Sequence, residues 1–309
     1  MLKINLLINM FQNKDLKFVS YGEILFDVFK HAKKIGGAPL NLASRINSFG
    51  FPVSMISAIG NDEDGKTLLN YLQKNGINTR GIITNNYPTG LVNVELDQHK
   101  SATYIIEHPS AWDKMEPNET LDKIVKTSDV FLFGSLACRD EVSRNTLYHL
   151  LKNKQPYKVF DVNLRAPHYQ METLKILMNH ADFIKFNDEE LLEISSELGS
   201  TFTSIEDNID FISKHTQTDS LCVTKGKDGA VLLWRGKLYY NPGFPITVAD
   251  TVGAGDSFLA SLISQLLSNG NPQKAIDFAC AVGSIVASSQ GANPAIKEEE
   301  INKYLDTLN

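Results

Sequence analysis

The chain has 309 residues, 42% of them apolar and 21% charged, which suffices for a full core and excludes a disordered or disulfide-stapled protein. Thirty basic against 36 acidic side chains leave a net charge of −6, which argues against nucleic acid or an anionic membrane as the main partner. No run approaches the roughly 18 apolar residues of a spanning helix, so a soluble protein is expected.

Residues 1–16 read as an N-terminal tail: a lysine and a short apolar stretch, interrupted by Asn5 and Asn9 and without a small-residue cleavage site. One domain is expected over 17–309. Phe18–Leu25 reads as a strand, and Pro39–Phe49 as a helix with Leu42, Ile46 and Phe49 on one face, closed by Gly50. Val53–Ile59 predicts a strand, and Gly65–Lys74 a helix stopped by Asn75-Gly76. Gly90–Leu96 and Ala102–Glu107 predict a hairpin around the polar turn Asp97-Gln98-His99-Lys100.

From residue 117 strands and helices alternate. Val130–Phe133, Lys158–Val162, Phe183–Phe186 and Ser220–Thr224 are short apolar runs of the kind buried in parallel sheets. Helices near 140–152, 171–179, 188–198 and 204–215 lie between them. Ala230–Trp234 and Leu238–Tyr240 read as a hairpin around Arg235-Gly236, followed by helices at 253–268, 272–289 and 297–307. The alternation predicts an α/β fold: a doubly wound, mostly parallel sheet between helical layers, with a small β-sheet lid from about 22–35 and 88–112. Cys138, Cys222 and Cys280 are odd in number, far apart and set among apolar or small neighbours. They predict buried thiols in a reducing cytosol, not a disulfide or zinc framework.

Two segments carry chemistry. Gly60-Asn-Asp-Glu-Asp-Gly65-Lys66-Thr67 satisfies the G-x-x-x-x-G-K-[ST] phosphate-loop pattern between a strand and a helix. Yet Asp62, Glu63 and Asp64 occupy the cradle, and at an effective dielectric of about 20 a carboxylate ~5 Å from a phosphate opposes it by roughly 3 kcal/mol. The segment is expected to be a helix start whose carboxylates complement the dipole. Asp250-Thr251-Val252-Gly253-Ala254-Gly255-Asp256-Ser257-Phe258 is the stronger signal. Small residues at a helix N-terminus leave backbone N–H groups open to an anion, and Asp256 in the first turn can accept a proton from an attacking hydroxyl. Taken alone, the same residues suit a capped helix with glycines for close packing.

The Asp250–Phe258 stretch is similar to the C-terminal signature of the PfkB, or ribokinase-like, carbohydrate kinases. Gly36-Gly37-Ala38-Pro39-Leu40-Asn41-Leu42-Ala43 and the Gly60–Gly65 segment resemble the N-terminal signature, and the resemblance runs over about residues 18–296. It implies Asp256 as catalytic base, and Gly253, Ala254 and Gly255 as the anion hole for a transferred phosphoryl group. Arg165, at a strand end, would neutralise transferred charge. The sugar would lie on Asp27, Gly36, Gly37 and Asn41. The nucleotide would meet Asn187, facing phosphate, Glu190, acting through water on Mg2+, and the turn Thr224-Lys225-Gly226. Backbone carbonyls at Asp250, Val252, Val286 and Gly291 stand where potassium-using members bind K+.

Gly36-Gly37-Ala38-Pro39 with the upstream Gly22-Glu23 resembles bacterial fructokinases more than ribokinases. The resemblance therefore implies an ATP- and Mg2+-dependent kinase acting on a primary hydroxyl of a ketohexose, D-fructose foremost. The alternatives are ribose, 2-keto-3-deoxygluconate or a nucleoside, and, from another class, a catalytically silent sugar or nucleotide sensor. Phe26, Phe29, Tyr104 and Trp112 suit a sugar ring's apolar edge and the lid's own core equally well. A cytoplasmic location is expected. So is a homodimer that covers the lid's sheet edge, which a monomer in light scattering would refute.

Overall fold

The computed structural model describes residues 15–30, 32–96 and 102–308; the turn expected at Asp97–Lys100 and residues 1–14 of the tail lie outside it. Thirteen strands are formed among the described residues. They are β1 (Phe18–Tyr21), β2 (Leu25–Phe29), β3 (Ala32–Gly36), β4 (Val53–Gly60), β5 (Asn78–Asn85), β6 (Gly90–Leu96), β7 (Ala102–Ile106), β8 (Val130–Gly134), β9 (Tyr157–Asp161), β10 (Phe183–Asn187), β11 (Leu221–Thr224), β12 (Ala230–Trp234) and β13 (Lys237–Asn241). Nine make one sheet in the order β13-β12-β11-β10-β9-β8-β1-β4-β5. All its pairs are parallel except those of the terminal hairpin β12–β13. The chain steps outward from β1 in both directions, so the order reverses between β1 and β8. Ligand crevices of open α/β sheets form at the carboxyl ends of such strands.

The strands alternate their apolar side chains between two layers, as a sheet covered on both faces requires. Phe18, Met55, Leu132, Val159, Phe183 and Leu232 face one layer. It is supplied by α1 (Ala38–Ser48), α2 (Glu63–Lys74), α8 (Ala254–Asn269), α9 (Pro272–Ala287) and α10 (Glu298–Leu305). Val19, Tyr21, Phe131, Phe133, Phe160, Ile184 and Phe186 face the other. There the helices are α3 (Glu119–Lys126), α4 (Glu141–Leu150), α5 (Met171–His180), α6 (Asp188–Glu197) and α7 (Ile205–Thr216). The three cysteines are buried and free, as expected. No helix among the described residues is long and apolar enough to cross a membrane.

The remaining strands form a small sheet, β3-β2-β6-β7, around Leu25, Val92 and Val94. The single strand expected over Phe18–Leu25 is two strands in different sheets. Gly22 breaks it at φ 144°, where a Cβ would stand 2.6 Å from Pro39 Cγ. β5 and α3 were not legible from periodicity: β5, Asn-Thr-Arg-Gly-Ile-Ile-Thr-Asn, is an edge strand with neither clean alternation nor an apolar run.

Candidate active site

The N-terminus of α8 lies beside α1 and Lys185 of β10. Gly253 caps it at φ 77°, pressed so closely on the late loop that a Cβ would lie 2.6 Å from Ala292 Cβ. The N–H groups of Gly253, Gly255 and Asp256 have no acceptor among the described residues. Ala254, expected to share the anion hole, donates its N–H to Thr251 O at 3.2 Å. A Cβ at Gly255 would meet nothing nearer than Lys185 Nζ, 3.6 Å away. A helix terminus with free donors and an ammonium group beside it is suited to an anion.

Asp256 stands half-buried in the first turn. Asn41 Nδ2, from α1, donates to its Oδ2 at 2.8 Å, and Asn293 Nδ2 donates to Asn41 Oδ1 at 2.9 Å. The amide expected to bond a sugar hydroxyl is therefore also the bracket that orients Asp256. Burial pushes the Asp256 carboxyl up to about 6, with Asp161 adding to it and Asn41, Lys185 and Arg165 opposing. That leaves a group mostly ionised at neutral pH, yet basic enough to take a proton.

Lys185 was missed in the sequence reading. It lies opposite Asp161 in the parallel register of β9 and β10, and its Nζ donates to Asp161 Oδ1 at 3.1 Å with both side chains buried. Burial disfavours the ammonium, but Asp161, Glu190 and Asp256 outweigh it and hold Lys185 above its ordinary value. The signal available was a lysine inside the apolar run Phe-Ile-Lys-Phe-Asn, since a charge in a buried strand must be paired. Asp161 Oδ2 is buried without a hydrogen-bond partner.

On the small-sheet side, Asp27 of β2 and Gly36 of β3 come together: a Cβ at Gly36 would collide with Asp27 Oδ2, so only glycine leaves that carboxylate its place. Burial raises the Asp27 carboxyl, against Lys34 and Arg165. Gly37, at φ 110°, caps α1 and would strike Glu23 O if it carried a side chain. Arg165 is exposed, its Nη1 donating to Leu164 O at 2.9 Å, and its charge reaches Asp27, Glu23 and Asp256 together. Trp112 and Phe26 are core residues: Trp112 is fully buried against Gly90 and under the Arg139 guanidinium, 4.1 Å from the ring centroid. Phe29 is half-buried, with Lys34 Nζ 5.3 Å from its ring centroid; the Tyr104 side chain lies outside the description.

Asn187 and Thr224 sit side by side at the carboxyl ends of β10 and β11. Asn187 and Glu190 form a capping box, Asn187 Oδ1 accepting from Glu190 N at 2.7 Å and Glu190 Oε2 from Asn187 N at 2.8 Å. Glu190 Oε1 accepts from Leu164 N at 2.8 Å, so both its oxygens already hold backbone. Lys225 closes the turn by donating its N–H to Gly229 O at 2.7 Å, and Gly226, at φ 55°, faces open space. Asp250 Oδ1 accepts from Val252 N at 3.1 Å and Oδ2 from Gly291 N at 3.2 Å. Of the four carbonyl positions named for K+, these three are thus adjacent, whereas Val286 is buried in α9 with its carbonyl accepting from Ser289 N at 2.9 Å.

The phosphate-loop pattern is filled by its own side chains. Asp62 caps α2, accepting from Gly65 N at 2.7 Å, and also binds Thr89 through N–H and Oγ1. Burial works against the Asp62 carboxylate, but these bonds hold its pKa below the ordinary range. Lys66 Nζ turns to Glu63, 2.6 Å away, and Asp64 pairs with Lys33 of β3.

A family model described as pfkB family carbohydrate kinase matches residues 1–299. A probable fructokinase-5 of Arabidopsis thaliana is 28% identical, covering 90% of this chain and 93% of its own. A putative sugar kinase of Pyrococcus horikoshii is 29% identical, covering 94% and 92%. Among solved structures, an uncharacterized sugar kinase from P. horikoshii superposes with a TM-score of 0.79 at 27% identity, over 93% of this chain and 97% of that one. A double-mutant fructokinase from Vibrio cholerae O395, in fructose-, ADP- and potassium-bound form, reaches 0.81 over 95% and 99%, and at 22% identity it speaks for the fold.

Proposed function

The chain belongs to the pfkB family of carbohydrate kinases, and on that premise we propose that it moves the γ-phosphate of ATP to a primary hydroxyl of a ketohexose, D-fructose foremost. The observation that carries the reading is Asp256 beside the unoccupied donors of α8, bracketed by Asn41 from the acceptor side. As the acceptor oxygen attacks, its proton passes to the Asp256 carboxylate. The N–H groups of Gly253, Gly255 and Asp256, with Lys185, hold the charge spread over the phosphoryl oxygens. Phosphoryl transfer is loose, so positioning and charge neutralisation count for more than a strong base. The small sheet, hinged at Gly22, acts as a lid that excludes water and suppresses ATP hydrolysis.

The residues present fit a divalent ion that arrives with the nucleotide. Asp161 Oδ2 is buried without a partner and would face the ion, while Glu190, whose two oxygens hold backbone N–H groups, would act on Mg2+ through water. When bound it neutralises phosphate charge. A potassium ion would be met by backbone carbonyls of the Asp250–Val252–Gly291 turn, which the Asp250 carboxylate draws together by accepting from the N–H groups of Val252 and Gly291. The fructokinase-named relatives and the GGAP-type loop at Gly36–Pro39 support fructose as acceptor.

A coupled ADP-release assay on fructose, ribose, glucose, 2-keto-3-deoxygluconate and adenosine tests the reading beside Asp256→Asn. Turnover is expected to be highest on fructose and to fall about 10²- to 10⁴-fold in the variant. Because Asp256 acts unprotonated, kcat/KM should rise with pH through about 6, the value to which burial pushes the group. Turnover on another sugar would move the specificity. None on any sugar would overturn the kinase and favour a sensor.

A further inference from the structure

Two crossings join the small sheet to the large one, and they are held differently. Gly22 leads into β2 and Gly37 follows β3, glycines at φ 144° and 110°. β6 and β7 are followed by residues 107–115, which are pinned to the connection between β8 and α4 and to the first turn of α4. Arg139 of that connection commits its three guanidinium nitrogens to the join. Nε and Nη2 donate to the two Asp113 oxygens at 2.7 Å each, Nη1 donates to Ile106 O at 3.3 Å, and Nη2 donates also to Glu107 O at 2.5 Å. The Asp113 side chain is 0% exposed and that of Arg139 4%. The guanidinium lies over the Trp112 ring, 4.1 Å from its centroid. Trp112 Nε1 is buried without an acceptor, so the ring is fixed by packing, with Gly90 against it.

A buried ion pair seldom outdoes apolar residues of equal volume in stability; what a planar guanidinium fork supplies is a fixed geometry. Here that geometry leads to the acceptor side. Ile106 of β7 pairs with Val92 of β6, and Val92 pairs with Asp27 of β2. One row of cross-strand neighbours thus runs from the carbonyl that Arg139 holds to Asp27, a span of about 10 Å at two strand spacings. A second route runs through Trp112 to Gly90, whose partner in β2 is Leu25. A Cβ at Gly90 would stand 2.5 Å from Trp112 Nε1, so the ring and the start of β6 are in direct contact. Both routes end on the strand that carries the carboxylate expected to hold the sugar. Neither includes a residue of α8 or of the turns at Asn187 and Lys225.

We propose that Arg139 is a positioning residue for the acceptor: through Asp113, Trp112 and the carbonyls of Ile106 and Glu107 it fixes the small sheet so that Asp27 meets the sugar and water is kept out. This rests on the sugar-kinase reading above. The test is steady-state kinetics of Arg139→Lys and of the double variant Arg139→Met with Asp113→Asn, on the best sugar and on ATP. Thermal melts and the ratio of ADP released to sugar phosphate formed are measured beside it. In the double variant no charge is left buried alone, and the amide can still accept from Ser110 N, as Asp113 Oδ2 does at 2.8 Å, so its melt should stay near the wild type's. Its KM for the sugar should nonetheless rise about tenfold or more, with KM for ATP within about twofold. The ratio should rise above the wild type's, as water takes the phosphoryl group in place of the sugar and inorganic phosphate is released. Arg139→Lys keeps the buried pair and so the fold, but one ammonium cannot span Asp113 and both carbonyls. It should move sugar KM and ratio in the same sense, by about threefold, and it reads both if the double variant does not fold. Unmoved sugar KM and ratio in a folded variant would overturn the assignment alone. So would sugar and ATP KM rising together with a lowered melt and an unmoved ratio, the mark of a purely structural pair. A wild type that phosphorylates no sugar would break the kinase reading first and this assignment with it.

Discussion

Two glycine-bearing loops lead from the sheet into helices, and they differ in everything but outline. In the loop before α2, Gly65 N donates to Asp62 Oδ1, Lys66 N donates to Asp62 O at 3.1 Å, Lys66 Nζ is held by Glu63, and Asp64 reaches to Lys33. The N–H groups of Glu63 and Asp64 are as free as those of α8, but they belong to residues that carry carboxylates, with the Asp62 carboxylate capping the same turn. In the loop before α8, the donors of Gly253, Gly255 and Asp256 are unanswered, and beyond its own chain neighbours the atom that a Cβ at Gly255 would meet is Lys185 Nζ. The first loop carries the better-known phosphate pattern but surrounds its donors with carboxylates; the second sets its donors beside an ammonium group. An anion site is defined by unspent N–H groups and the sign of the local field, and a residue pattern counts only insofar as it leaves those in place.

The comparison breaks most visibly at Gly253. Gly253→Ala puts a methyl 2.6 Å from Ala292 Cβ and 2.7 Å from its Cα, at a φ of 77° that disfavours any side chain. The donors of α8 should be displaced, and kcat is expected to fall about 10²-fold, nearer the loss of one oxyanion donor than the loss of the base. Unchanged kcat with a folded variant would show that these donors do not face the transferred group. A smaller effect is expected at Asp62, and of a different kind. Asp62→Ala removes the cap of α2 and the tie to Thr89, costing about 1–2 kcal/mol of stability while kcat changes little. Since the native pKa of Asp62 is depressed, that contribution is fully present above the ordinary carboxylate range and is lost only as pH falls through it. Chemical denaturation at pH 7 and pH 3 checks both the size and the sign. A large loss of kcat with stability intact would assign the first loop to the chemistry after all.

Much of this site is legible in residues that stand together in sequence: Gly253 to Asp256, Gly36 to Asn41, and the Asn187–Glu190 box. What periodicity could not give is pairing over distance. Asn41 and Asp256 are 215 positions apart, and Lys185 meets Asp161 only because β9 and β10 align in parallel register. The warning signs were local all the same: Lys185, Asp161 and Glu23 are lone charges in or beside apolar strands, and a buried charge demands a partner or a ligand. Other features stay two-sided in sequence for a physical reason. Trp112 offers the large apolar face that a sugar ring stacks on, but the same face fills a core, and here it lies against Gly90 and Arg139. Gly22 looked like an ordinary strand residue because φ is invisible in sequence; at 144° it ends one sheet and begins the other.

The finest discrimination between the two loops is a variant that should do nothing. Lys66 is the residue that the phosphate-loop pattern would place on the β- and γ-phosphates, and its removal from such a site abolishes nucleotide binding. In this chain it is exposed, its ammonium turned to Glu63 on the surface of α2, while Lys185 stands beside the free donors of α8. Lys66→Ala is therefore expected to leave KM for ATP and kcat at wild-type values, whereas Lys185 is the lysine whose loss the phosphoryl group would feel. Calorimetric titration of ATP into Lys66→Ala and Asp256→Asn decides the matter. If Lys66→Ala loses ATP binding and Asp256→Asn still turns over, the two loops must exchange roles. If both variants bind ATP and only Asp256→Asn is inactive, the acidic loop is a clasp for the small sheet and α8 is the phosphoryl site.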